Sequence, residues 1–177
     1  VLGASAPVVE GGVLLVPYSS GEIYVLNRQS GTPIWGDSLA ALNQQNASLF
    51  SLNDIDATPV IYDGVVYAVG HEGVLTATEL RSAKRIWEQE ISSLKTPWIV
   101  GDFIFMLSTN DELISVYRPD CRIKWITPLP SYQDQEPHRG TIAWSGALVA
   151  GGTIYIVNSL GAWPEFPPAD GSRLGAI

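Results

Sequence analysis

The chain has a single cysteine, Cys121, so no internal disulfide can form and the fold must rest on packing and hydrogen bonds. Basic residues are scarce: 10 Lys and Arg stand against 18 Asp and Glu, a net charge of −8 with a pI near 4.6. No basic stripe exists to neutralise phosphates, which argues against a nucleic-acid partner. Long apolar runs are missing too. None approaches the ~18 residues that a membrane-spanning helix needs. The two histidines, His71 and His138, fall in separate segments without metal-ligand spacing. There is no glycine-rich phosphate loop, no Gly-x-Ser-x-Gly and no cysteine cluster. Asp54 and Asp56 lie two apart in a loop, too few acids for a calcium cage. No catalytic, cofactor-binding or metal-ligating residue is therefore expected, and the chain reads as a non-enzyme.

What the chain does have is punctuation. Glycine and proline together number 29 (17 + 12), and charged residues make up only 16%. The punctuation is periodic. Pro7, Pro59 and Pro97 each open a short apolar stretch, and each is followed 28 residues later by a tryptophan: Trp35, Trp87 and Trp125. Turn residues recur near offsets +14 and +24 from each proline. Between them lie short runs such as Val13-Leu14-Leu15-Val16, Val65-Val66-Tyr67-Ala68-Val69 and Phe103-Ile104-Phe105-Met106-Leu107. A fourth, degenerate copy keeps the spacing from Ala147 but carries Gly175 where the tryptophan would stand.

Runs this short, rich in Val, Ile, Tyr and Phe and broken every ten residues by Gly or Pro, are strands rather than helices. Four antiparallel strands per copy make the blade of a β-propeller. The fold class is all-β, with four-stranded blades expected at roughly 6–38, 58–91, 96–129 and 146–177. Apolar middle runs with little alternation fit strands buried on both faces. Trp35, Trp87 and Trp125 are expected on outer strands, packed against an adjacent blade and burying ~150–250 Å² each. Four blades do not comfortably close a ring, so the chain reads as a fragment, about half of an eight-bladed ring. Either further blades lie elsewhere or two copies pair.

Several segments fall outside the period. Residues 36–57 and 131–140 are polar connections where recognition could sit, with a helical turn possible near Leu49–Leu52. Cys121, at offset +24, is expected at an exposed hairpin tip. The proline-rich stretch Ala162–Pro168 should break the last copy's third strand or hold it at an edge, leaving Trp163 and Phe166 either as a candidate contact patch or as a surface that a further blade covers.

The blade pattern (small-Pro-apolar-apolar, Asp/Gly-Gly, apolar strand, Gly turn, Ser-Gly-x-x-x-Trp) resembles the repeats of pyrroloquinoline-quinone (PQQ) propellers. Three stretches bring it closer to the BamB family of outer-membrane protein assembly factors: Gly3–Pro7, Leu52–Val60, and Asp63–Ala68 running on to Glu79-Leu80-Arg81-Ser82. The likeness spans about residues 1–160, and the tail departs from it. It implies a non-catalytic, lipid-anchored scaffold on the periplasmic face of the bacterial outer membrane, without a cofactor. Such a scaffold binds the POTRA domains of the barrel-assembly protein BamA, assists insertion of outer-membrane proteins, and could meet those proteins while unfolded. The resemblance also implies a partner-binding surface at Leu80 and Arg81, with Thr78 standing where the family often has a second leucine. The lipid-bearing cysteine would lie outside this chain, since Cys121 is internal. Two readings compete. A PQQ-dependent quinoprotein dehydrogenase would need a quinone, calcium, a catalytic carboxylate and often adjacent cysteines. Another extracytoplasmic propeller would bind a peptide or small ligand.

Overall fold

The computed structural model describes residues 5–39, 57–70, 74–134, 136 and 138–174. Within those residues every regular element is a strand. The chain divides into two compact units, Val1–Thr96 and Pro97–Ile177.

The first unit holds two four-stranded antiparallel sheets. One is β1 (Val8–Glu10), β2 (Val13–Pro17), β3 (Glu22–Asn27) and β4 (Pro33–Ser38), in that spatial order. The other is β5 (Val60–Tyr62), β6 (Val65–Val69), β7 (Leu75–Glu79) and β8 (Arg85–Gln89), again in sequence order. The second unit repeats the plan with β9 (Trp98–Val100), β10 (Phe103–Leu107), β11 (Glu112–Tyr117) and β12 (Arg122–Pro128). A hairpin follows, β13 (Tyr132–Asp134) with β14 (Arg139–Thr141). The last sheet is β15 (Trp144–Ala150), β16 (Thr153–Asn158) and the two-residue β17 (Glu165–Phe166).

The sequence period is a period of backbone conformation. Offset +4 is left-handed in all four copies, at Gly11, Asp63, Gly101 and Gly151 (φ 50–57°). Offset +24 is left-handed at Gly31, Ala83, Cys121 and Gly171 (φ 59–69°). At +14 the left-handed residues are Gly21, Asp111 and Gly161. These are positions where glycine, or a short polar side chain that bonds its own backbone, costs least. Each of the three regular sheets also carries a bulge at the same place, after Val25, Ala77 and Ser115. A bulge there adds twist to the outer pair of strands.

Burial follows from which faces are covered. Strands β7 and β11 are buried at consecutive residues, so both of their faces are covered. Strand β3 alternates: Ile23 and Val25 are buried while Tyr24 and Leu26 are less so. Its inner face meets the second sheet in a cluster of Leu15, Ile23 and Val25 with Ile61, Val66 and Ala68. In the second unit Phe105, Leu107 and Leu113 pack with Ile154, Ile156 and Phe166.

Three local expectations change. The segment 131–140 is a β-hairpin rather than an irregular loop. Its roots are tied by the Ile142 amide donating to the Ser131 carbonyl at 2.8 Å, and Leu129 and Ile142 on either side are buried in the core. Phe166 is 1% exposed, because pairing with Ile154 turns its ring into that core, whereas Trp163 is 72% exposed. The proposed patch therefore loses one of its two aromatics. Cys121 is buried at 5% exposure, not an open tip. At its counterpart Gly171 in the last copy the Trp125 ring lies so close that a Cβ would strike it, so that turn is a contact position. The possible helical turn near Leu49–Leu52, and Asp54, Asp56 and His71, lie outside the described residues.

Candidate partner-binding surface

The turn from β7 to β8 holds the residues singled out by the sequence. Its backbone closes on itself: the Glu79 amide donates to the Lys84 carbonyl at 2.9 Å, and the Ala83 amide to the Glu79 carbonyl at 3.0 Å. Side chains reinforce it. The Ser82 hydroxyl bonds the Glu79 carboxylate and accepts from the Lys84 amide. Two further bonds tie the turn to its surroundings. The Leu80 amide donates to the Gly64 carbonyl at 3.0 Å, and the Leu80 carbonyl accepts from the Trp35 indole Nε1 at 2.8 Å.

That last bond is a repeated device. In the second unit Trp125 Nε1 donates to the Pro168 carbonyl at 2.9 Å. Leu80 and Pro168 both stand at offset +21 of the following copy, so Trp35 and Trp125 lock onto the third turn of the next sheet in the same way. Trp87 faces Tyr67 within its own sheet, ring centroids 5.9 Å apart. Beside the first lock, Arg85 of β8 forms an ion pair with Asp37 of β4 and a second with Glu88 at 2.9 Å.

The structure separates the three predicted partner-binding residues. Thr78 is 2% exposed and pairs across the sheet with Val66, which belongs to the cluster joining the first two sheets. Its side chain is therefore not on the surface. Leu80 is half-buried, its side chain resting against the same cluster beside Trp35. Arg81 is exposed and has no ion-pair partner among the described residues.

Leu80 and Arg81 line a cavity of about 400 Å³ together with Gly64 of their own sheet and Glu10, Gly11, Gly12, Val13 and Ile34 of the first sheet. Spacing within one copy gives no sign of this cavity, because its lining comes from different copies. The only cue is that offset +21 of the second copy docks on +28 of the first.

Nucleophilic chemistry finds no support here. Burial, and then the charge of Asp120, push the Cys121 thiol up to about 12, so it stays protonated at neutral pH. Among the described residues no three His, Cys, Asp or Glu side chains converge as metal ligands. His138 lies against Tyr132, ring centroids 4.9 Å apart.

A profile of the family described as outer membrane protein assembly factor BamB matches residues 1–127. A BamB of Yersinia pestis is 32% identical over 163 residues, covering 89% of this chain and 40% of the relative. The BamB of Escherichia coli K12 is 30% identical over 114 residues, 64% of this chain and 29% of the relative. Among solved structures, BamB from Moraxella catarrhalis superposes with a TM-score of 0.81 at 20% identity, covering 99% of this chain and 50% of that one. A quinohemoprotein alcohol dehydrogenase from Comamonas testosteroni reaches 0.70 at 15% identity, covering 97% of this chain and 34% of that one, a likeness of fold alone. The chain thus spans 29–40% of the length of these curated relatives.

Proposed function

The chain belongs to the BamB family of outer membrane protein assembly factors, and from that premise we propose that it is a non-catalytic scaffold for outer-membrane β-barrel assembly. Its sheets are blades of a β-propeller. On this reading the scaffold faces the periplasm from the outer membrane, held by a lipid on a cysteine outside this chain. Its partner is a BamA-like barrel-assembly protein, bound through the POTRA domains, and its role is to assist insertion of outer-membrane proteins.

The observation that carries the contact assignment is the anchored turn. Leu80 and Arg81 stand on a backbone held by bonds to Gly64 and Trp35, so presenting them costs little ordering on binding. A partly buried apolar side chain beside an exposed guanidinium has the composition of an interface hot spot.

Replacing Leu80 with Ala and Arg81 with Glu together should abolish co-purification with BamA. The Trp35 bond goes to the Leu80 main chain, so the lock survives the change. Leu80 does rest on the core, so Arg81→Glu alone serves as the variant that leaves packing untouched. Undiminished BamA recovery with both variants refutes the assignment of this pair.

A further inference from the structure

We propose that the turn between β3 and β4 is an unfilled indole seat, and that its occupant is a tryptophan on the outer strand of a further propeller blade, not on a second copy of this chain. The seat concerns how blades join, not how BamA is bound.

Two filled counterparts identify it. At offset +24 the Gly31 amide donates to the Asn27 carbonyl at 2.9 Å, as Ala83 does to Glu79 and Gly171 to Pro167, each at 3.0 Å. The left-handed φ at these three residues is 69°, 61° and 65°. The Arg28 amide donates to the Gly12 carbonyl at 2.9 Å, as the Leu80 amide does to Gly64 at 3.0 Å. The three turns thus share one backbone frame, with a carbonyl at +21 in each. Two of those carbonyls hold an indole: Leu80 accepts from Trp35, and Pro168 from Trp125. The third, on Arg28, accepts no hydrogen bond among the described residues.

The place of the ring is open as well. A Cβ on Gly171 would strike the Trp125 ring, whereas a Cβ on Gly31 meets nothing within 4 Å. Gly171 is accordingly buried and Gly31 exposed. A cavity of about 490 Å³, lined by Gly11, Gly12, Asn27, Arg28 and Gln29, lies at this turn. A buried indole needs an acceptor for its N–H, and here the acceptor stands on a turn already closed by its own bonds.

Spacing decides which blade can fill the seat. In both filled locks the donor stands at +28 of the copy before the acceptor. A second copy that continued the repeat would bring its fourth copy to this turn, and that copy has Gly175 at +28, with no indole to give. Trp163, 72% exposed, stands at +16, ahead of the third strand rather than on the fourth. The donor is then a blade outside these 177 residues. Half of the Moraxella catarrhalis BamB chain lies beyond the part that this chain matches, so the family has chain to supply one.

The test uses a peptide of residues 32–37 (Thr-Pro-Ile-Trp-Gly-Asp), acetylated and amidated, the donor strand of the first lock. At millimolar concentration it should shift the amide resonances of Gly12, Gln29 and Gly31 in the isotope-labelled chain. Methylating the indole nitrogen of the peptide keeps the ring and removes the donor, and affinity should fall roughly fivefold or more. Gly31→Leu puts a side chain in the ring's place and should abolish the shifts. A methyl would not suffice, since Ala83 accompanies a filled lock. Resonances of the second sheet report whether the variant stays folded. Equal binding of the two peptides, or shifts that survive in folded Gly31→Leu, overturns the seat, as does the absence of any shift at these three amides. Sedimentation separates the occupants. The unaltered chain should have the mass of one copy, and a dimer that Gly31→Leu dissolves would make a second copy the occupant and overturn the proposal.

Discussion

Trp35→Phe removes one hydrogen atom's worth of function from the first blade lock, and its effect can be sized from the structure. The indole Nε1 donates to the Leu80 carbonyl at 2.8 Å in a part-buried setting. Phenylalanine keeps most of the ring and loses the donor, leaving that carbonyl under a ring with no partner. A stranded buried acceptor costs about 1–3 kcal/mol, and partial solvent access places this one near the low end, about 1–1.5 kcal/mol. Trp35→Ala also loses the ring's packing against Val25, its cross-strand partner, and Leu80. Core aromatics cost about 3–5 kcal/mol when truncated, so a half-buried one should cost about 3. For a chain of this length each kcal/mol moves the midpoint by about 2–4 °C. The expected shifts are then about 2–6 °C for Trp35→Phe and about 6–12 °C for Trp35→Ala. Trp125, with the same bond to Pro168, should respond alike, while substitution of the 72% exposed Trp163 should be silent. Indole hydrogen exchange gives an independent readout: the Nε1 protons of Trp35, Trp125 and Trp144 are bonded to carbonyls and should exchange slowly. If Trp35→Phe melts with the unaltered chain and Trp35→Ala costs no more than Trp163→Ala, the lock does not hold the sheets together and the reasoning fails.

Other consequences follow from the same geometry. Cys121 should resist alkylation at pH 8 in the folded protein and react once urea is added. The folded thiol keeps its proton to about 12 where the ordinary value is 9.0, so above pH 9 the folded state binds more protons than the unfolded one. Stability should therefore fall as pH rises through that window, and Cys121→Ala should flatten the decline in a urea titration series. Gly171→Ala places a methyl against the Trp125 ring and a side chain on a left-handed backbone at φ 65°, so the displaced ring and the backbone strain both cost. A loss of about 1–3 kcal/mol with altered tryptophan fluorescence is expected, and an unchanged melting curve would show that the ring does not cover Gly171.

Much of the fold was legible because the period is written in residues with few alternatives. Glycine, aspartate or a tight Asp-Gly at +4 and +14 marks a left-handed backbone, and apolar runs between such marks have to be strands. Side-chain exposure was less legible. Thr78 was read as surface and is buried, because its place in β7 turns it toward Val66 and the first sheet. Cys121 was read as an exposed tip because hairpin tips usually are, and it is buried. Phe166 looked stranded among prolines and is held inward by two residues of pairing with β16. The segment around Tyr132 carries too little alternation to announce a hairpin, and what makes it one is the burial of Leu129 and Ile142 at its base.

The amino-acid order by itself determined the repeat, the turn positions, the all-β class and the family likeness, since each depends on local backbone preference or on spacing within one copy. Only the tertiary structure decided which indole meets which carbonyl, that Leu80 is half-buried while Arg81 is exposed, and that Ile34 and Leu80 line one cavity. Those are relations between copies tens of residues apart, and they are set by how one sheet's inner face packs on the next rather than by any preference a residue carries along the chain.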